Sequence, residues 1–176
     1  DRIVRNVEAH LQSVAVLKEQ EIEKWLKHLQ HACAWLSSNP EITTNGAELV
    51  EAIPGSRGHE SAHDALVAEL QRVTSLGHLS PVFFLDAADG RILASTDPGW
   101  EGQFKDEEGW FTRGKSGTSL SGFFHSPALG RPTLVIATPV TEESGELVGV
   151  LAGHVNLDGL NEVMLERSGL GQTGET

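Results

Sequence analysis

The stretch from Arg57 to Leu70, RGHESAHDALVAEL, contains His59-Glu60-x-x-His63. On a helix this spacing sets two imidazoles one turn apart with a glutamate beside them, which is how some hydrolases hold zinc and activate a water. Such a centre also needs a third protein ligand and an apolar approach that buries the pair in mid-helix. Here Ser56-Arg57-Gly58 comes just before, so His59 and Glu60 fall in the first turn. The free amides and positive dipole end of a first turn disfavour a dication and favour the Glu60 carboxylate. Leu66 stands where an extended zinc motif has Gly, and no third His follows. The expectation is a helix start with two border histidines. A zinc metallohydrolase built on His59, Glu60 and His63 is the alternative.

Other groups offer less. His28 and His31 lie three apart, but Lys27 and Gln30 beside them point to a solvated helix face. Asp86-Ala-Ala-Asp89-Gly90 lacks the ligand run and terminal Glu of a calcium loop and reads as a hairpin turn. Ser126 has no Gly-x-Ser-x-Gly elbow around it. The single Cys33 sits in a helical apolar pattern, which reads as a buried structural thiol. No metal or cofactor is expected.

The segment from Gly109 to Leu160 holds the richest chemistry. Trp110 and Phe111, with Arg113 and Lys115, lead into a strand bearing Phe123, Phe124 and His125, and a glycine-rich strand ends in Gly153-His154-Val155-Asn156. Aromatic walls with a few converging polar groups are what a small-molecule pocket requires. The alternative is that these rings merely fill the core of a sheet. Arg113, His125 and His154 point to an anion such as a small carboxylate, and imidazoles would grip it best when protonated, near or below pH 6.5.

Elements to hold these residues can be read from the apolar period. Ile3, Val7, Leu11, Val14, Leu17, Ile22, Trp25, Leu29, Ala32 and Leu36 recur at three-and-four spacing, predicting one amphipathic helix of about 50 Å that ends at Ser37-Ser38-Asn39-Pro40. Shorter helices are predicted around Glu48 to Ala52 and over His59 to Ser75. From Pro81 the period changes to that of strands: Val82 to Leu85, Arg91 to Ser95, Thr118 to Ser126, Thr133 to Thr141 and Glu146 to Asn156. Hairpin turns at Asp86 to Gly90 and Glu142 to Gly145 make that sheet antiparallel. Asp158 to Arg167 is predicted to close as a helix. The 176 residues, 39% apolar and 22% charged, suit one domain. The net charge of −12, with no basic cluster, argues against a nucleic-acid partner. No run is long enough to cross a membrane, and the abrupt ends look cut from something longer.

In Gly109 to Leu160 the sequence resembles the Cache family of PAS-like extracytoplasmic sensor domains. The residues that carry the likeness are the Trp110-Phe111 pair, the turn Ser126, Gly130, Pro132, then IATPV, the acidic-Gly turn and GELVGVLAGHVNLDGL. The resemblance implies an α+β fold, a PAS-like five-stranded antiparallel sheet with a long N-terminal helix packed along it. It implies a signalling and dimerisation helix over 1–38, a sensor module over 39–168, and at 169–176 the lead-in to a following module. It implies the membrane-distal sensor of a membrane-anchored receptor, periplasmic in location, first of all a histidine kinase, with chemoreceptors and cyclases as other outputs. Such a module is not itself an enzyme. A dimerisation module without a ligand is the alternative. In amino-acid-binding members, an Arg two residues before the Trp takes the carboxylate and Asp residues help with the amine. Here Glu108 stands at the Arg position, Phe124 keeps the aromatic, and Ser126 and His154 replace the Asp residues. The ligand-binding set expected is Glu108, Trp110, Phe111, Arg113, Phe124, His125, Ser126 and His154.

Overall fold

The computed structural model describes residues 2–158 and 160. The chain divides into two compact units, Asp1–Leu29 with Leu157–Thr176, and Gln30–Asn156. Helix α1, Arg2–Ser37, contributes to both. In the first unit it carries a Lys18–Glu21 ion pair at 3.1 Å. The closing helix expected from Asp158 to Arg167 lies largely outside the described residues, as does 169–176.

In the second unit, α1 ends where Asn39-Pro40 starts the next helix. Asn39 caps α2, Pro40–Glu51, accepting the Glu41 N–H, and Pro40 takes the first-turn position where its missing donor costs nothing. This helix begins eight residues earlier than the apolar spacing alone indicated. Ser56 caps α3, Arg57–Ser75, by accepting the His59 N–H, and Ala62, Leu66, Leu70 and Val73 form its buried stripe. Glu60 lies in the first turn, as expected from Ser56-Arg57-Gly58 just before it.

The sheet has the order β2-β1-β7-β6-β3, with strands β1 Leu79–Asp86, β2 Ile92–Ser95, β3 Ser119–Leu120, β6 Val135–Thr141 and β7 Leu147–Val155, every pairing antiparallel. Gly90, at φ 71°, closes the β1–β2 turn in the left-handed region that favours glycine. The sequence pattern over Thr118 to Ser126 and Thr133 to Thr141 suggests two unbroken strands, and the structure divides both. Ser121 ends the first pairing: its N–H donates to Val135 O and its Oγ accepts the Val135 N–H, each at 2.8 Å. The chain then turns out through Gly122 into a separate hairpin of β4, Phe124–Ser126, and β5, Arg131–Thr133.

Two-residue alternation gives the sheet two different faces. On one, Phe84 lies against α2, so close to Gly46 that a Cβ there would stand 2.8 Å from the ring. On the other, Phe83, Leu85, Val135, Ala137, Val150 and Ala152 form a cluster with Trp100, Trp110 and Phe111. The last two belong to α4, Gly109–Gly114, and Trp100 ends a short 3-10 turn, Pro98–Trp100. Gly114 lets α4 sit close on β6, since a Cβ there would lie 2.7 Å from that of Ala137.

Candidate functional site

His154 follows Val150 and Ala152 on the second face, paired with Val135 across the β6–β7 ladder. It is 3% exposed. Its ring lies 4.9 Å from Trp100, 6.0 Å from Phe83 and 6.1 Å from Phe124, centroid to centroid. Phe83 in turn stacks on Trp100 at 5.7 Å and meets Trp110 at 6.1 Å. These rings border a cavity of about 280 Å³, completed by Gln103, Lys105, Glu108, Ser126, Pro127, Ala128 and Val135. That size is near the lower end of ligand pockets and fits a small metabolite.

The polar groups differ with depth. Ser126 is buried, and its Oγ accepts the Leu129 N–H at 3.3 Å. Nδ1 of His154 is sealed from solvent and has no hydrogen-bond partner. Burial, reinforced by the nearby charges of Lys105 and Arg131, pushes His154 down from 6.5 to about 4. It is therefore uncharged at neutral pH. The reading of this imidazole as a cation near pH 6.5 is corrected accordingly: a buried ring flanked by cations releases its proton. Lys105 is half-buried, with Nζ 3.1 Å from Gln103 Oε1 and 5.3 Å from the centre of the Trp100 ring. Glu108 is exposed at the N-terminal end of α4.

Of the residues expected from sequence, the cavity brings together Glu108, Trp110, Phe124, Ser126 and His154. It does not include Phe111, Arg113 or His125. Phe111 is 2% exposed and packs in the core with Lys115 Nζ 5.1 Å from its ring centre, because α4 turns it toward β6 while Trp110 faces the cavity. Arg113 is exposed and donates from Nη2 to Leu120 O at 3.4 Å. His125 is exposed because strand alternation turns it away from its neighbour Ser126. The cavity's cation is instead Lys105, which sequence reasoning passed over with Phe83, Trp100 and Gln103. Phe83 lies in the apolar strand run Val82 to Leu85, which signals burial but not the face it takes, whereas Gln103 and Lys105 lie in an aperiodic loop that gives no such signal.

The His59-Glu60-x-x-His63 pair is placed elsewhere. His63 Nε2 meets Glu101 Oε1 at 2.9 Å and Nδ1 meets Asp64 at 3.3 Å. Among the described residues no three His, Cys, Asp or Glu side chains form a group that could hold a metal ion. Cys33 is buried, and burial pushes its thiol up to about 12. Among the described residues no helix is long and apolar enough to cross a membrane.

A five-stranded antiparallel sheet with one face closed by helices and an aromatic cavity on the other defines a PAS-like sensor fold. The chain belongs to the Cache domain family: the dCache_1 model matches residues 1–176. It is similar in structure to the sensor domain of the Vibrio cholerae histidine kinase DctB, with TM-score 0.70 and 18% identity over 89% of this chain and 58% of that one. It is also similar to the ligand-binding domain of the Pseudomonas aeruginosa amino-acid chemoreceptor PctC, in complex with GABA, with TM-score 0.61 and 21% identity over 90% and 68% of the two chains. The Pseudomonas fluorescens chemoreceptor CtaA, in complex with L-leucine, gives TM-score 0.58 and 17% identity over 94% and 65%. At such identities the likeness is one of fold, and the chain spans less than two thirds of the DctB and CtaA domains. No curated protein sequence matches it.

Proposed function

We propose that this chain is the ligand-sensing module of a transmembrane signal-transduction receptor, of the histidine-kinase kind first and the chemoreceptor kind second. In this reading it lies on the periplasmic side of an inner-membrane protein and binds a small polar or anionic metabolite between sheet and loops. Residues 39–168 form the sensor, 1–38 the helix that relays the signal, and 169–176 the lead-in to a further module. Catalysis is left to the output domain. The observation that carries the reading is the 280 Å³ cavity, bordered by Phe83, Trp100, Trp110 and Phe124 with Lys105 at its edge. Its departures from the amino-acid pattern at Glu108, Ser126 and His154 favour a ligand other than an ordinary α-amino acid. Calorimetry with a panel of organic acids, amino acids and amines tests it. Saturable binding of one class, weakened by Trp110→Ala, is expected; a panel that gives no heat would overturn the reading.

A role for α1 in pairing with a second copy is favoured by its exposed apolar side chains Val16, Leu17 and Trp35, the last 73% exposed. Sedimentation of the chain and of Trp35→Glu tests this: the dimer should weaken in the variant.

A further inference from the structure

The loop that brings Trp100 and Gln103 to the cavity continues as Lys105-Asp106-Glu107-Glu108, one cation followed by three acids. The fold treats them unequally. Lys105 is half-buried and lines the cavity, whereas Asp106, Glu107 and Glu108 are exposed. The backbone of Lys105 is fixed from both sides: its N–H donates to Gly90 O at 2.9 Å, and its carbonyl accepts the Glu108 N–H at 3.0 Å. Glycine at 90 permits this approach, since a Cβ there would lie 2.7 Å from Asp106 N. Nζ of Lys105 stands 5.3 Å from the centre of the Trp100 ring and donates to the uncharged Gln103 Oε1 at 3.1 Å. Among the described residues it forms no ion pair with a carboxylate. A cation taken partly out of water without a counter-charge is unfavourable, and an amide oxygen and a ring face offset only part of the lost hydration.

Resting on the sensor reading above, we infer that Lys105 sets the sign of the ligand: the cavity takes an organic anion that has an apolar body and carries no ammonium group. The rings of Phe83, Trp100, Trp110 and Phe124 receive the body, and the anionic group gives Lys105 the counter-charge that the fold leaves out. An α-amino acid holds its ammonium one carbon away from its carboxylate, so both charges would meet the same lysine. Its amine would lose hydration and be repelled, which cancels much of what the carboxylate gains. The field elsewhere in the cavity has the same sign. The charges that act on His154 are Lys105 and Arg131, both positive, while Glu108, the carboxylate of the lining, is exposed and screened by water.

The test is calorimetry on the full chain at pH 7 with two matched series, each built on one apolar body. The first is 3-phenylpropanoate, L-phenylalanine and 2-phenylethylamine; the second is 4-methylpentanoate, L-leucine and 3-methylbutylamine. In whichever series fits the cavity, the acid should bind about tenfold or more tightly than the amino acid, and the amine should bind most weakly. Lys105→Met keeps the length of the side chain beside Trp100 and removes the charge, so it should abolish most of the acid's advantage. Lys105→Arg should retain it. Equal affinity for acid and amino acid, or tighter binding of the amino acid or the amine, overturns the inference and leaves the sensor reading standing. An acid preference that survives Lys105→Met unchanged does the same. Failure of all the compounds to bind overturns both.

Discussion

His63 Nε2 stands 2.9 Å from Glu101 Oε1, and that same oxygen accepts the Ser95 N–H at 3.0 Å. One carboxylate thus ties α3 to β2 at the start of the loop that supplies Gln103 and Lys105 to the cavity. Burial opposes charge on His63, but hydrogen bonds to Glu101 and Asp64 outweigh it and hold its pKa above 6.5. The folded chain therefore binds this proton more tightly than the unfolded one. The stability it adds is fully present below 6.5 and is lost as pH rises through the folded value. Because the pair is partly exposed, its contribution should be below about 1 kcal/mol. Urea unfolding of the chain and of His63→Gln should show a stability gap at about pH 5.5 that narrows by about pH 8.5. A gap that does not change with pH would show that the charge on His63 plays no part.

His154 should act in the opposite direction. Its folded value of about 4 lies below 6.5, so between those limits the unfolded chain holds a proton that the folded chain lacks. Stability linked to this group is present above 6.5 and falls as pH drops toward 4, by at most roughly 3 kcal/mol. His154→Leu should flatten this part of the acid limb. Urea titrations at closely spaced pH values check the point, and an unchanged limb would mean that the buried ring takes up its proton as readily as a free one.

The division between legible and hidden features follows the physics of the chain. Long-range periodicity announced α1 and α3, and the turn chemistry at Gly90 and Gly145 announced the β1–β2 and β6–β7 hairpins. The caps at Ser56 and Asn39 satisfy amides within their own neighbourhood, yet in sequence Asn39-Pro40 reads only as the end of α1 and not as the start of α2. The break after Leu120 was not readable, because it depends on Ser121 meeting Val135, fourteen residues away in sequence. The same holds within the cavity. Trp110, Phe124 and His154 stood out by type, whereas Lys105 enters only because Trp100 and Gln103 fix its loop against β1 and β2. Arg113 on α4 and His125 on β4 had the right chemistry but lie outside the cavity lining, and for His125 the local sequence does not encode its direction when the strand is only three residues long.

Close approach of α2 to the sheet gives a test of packing. An alanine in mid-helix ordinarily stabilises relative to glycine by about 1 kcal/mol. At Gly46 the added methyl would stand 2.8 Å from the Phe84 ring, which is itself fully buried. Gly46→Ala should therefore cost about 1 to 3 kcal/mol. In a Phe84→Leu background the further substitution should cost less or become favourable, because the obstructing ring is gone. Thermal unfolding of the four proteins measures the coupling, and strict additivity would mean that helix and sheet separate freely at this point.

Phe83 and Phe124 both border the cavity, yet truncating them should have different consequences. Phe83 is fully buried, stacks on Trp100 and belongs to the core cluster, so Phe83→Ala should cost about 3 to 5 kcal/mol. Phe124 is 39% exposed on the short β4–β5 hairpin, which packs outside the main sheet. Its removal leaves a space that water can enter, so Phe124→Ala should cost below about 2 kcal/mol. Its ring nevertheless stands 6.1 Å from that of His154 and forms one wall of the cavity. Affinity for the best-binding acid of the panel should therefore fall in Phe124→Ala by more than its stability loss implies. Urea unfolding and calorimetry on the same preparations separate the two effects. A large stability loss with unchanged affinity would assign Phe124 to the core and remove it from the binding site.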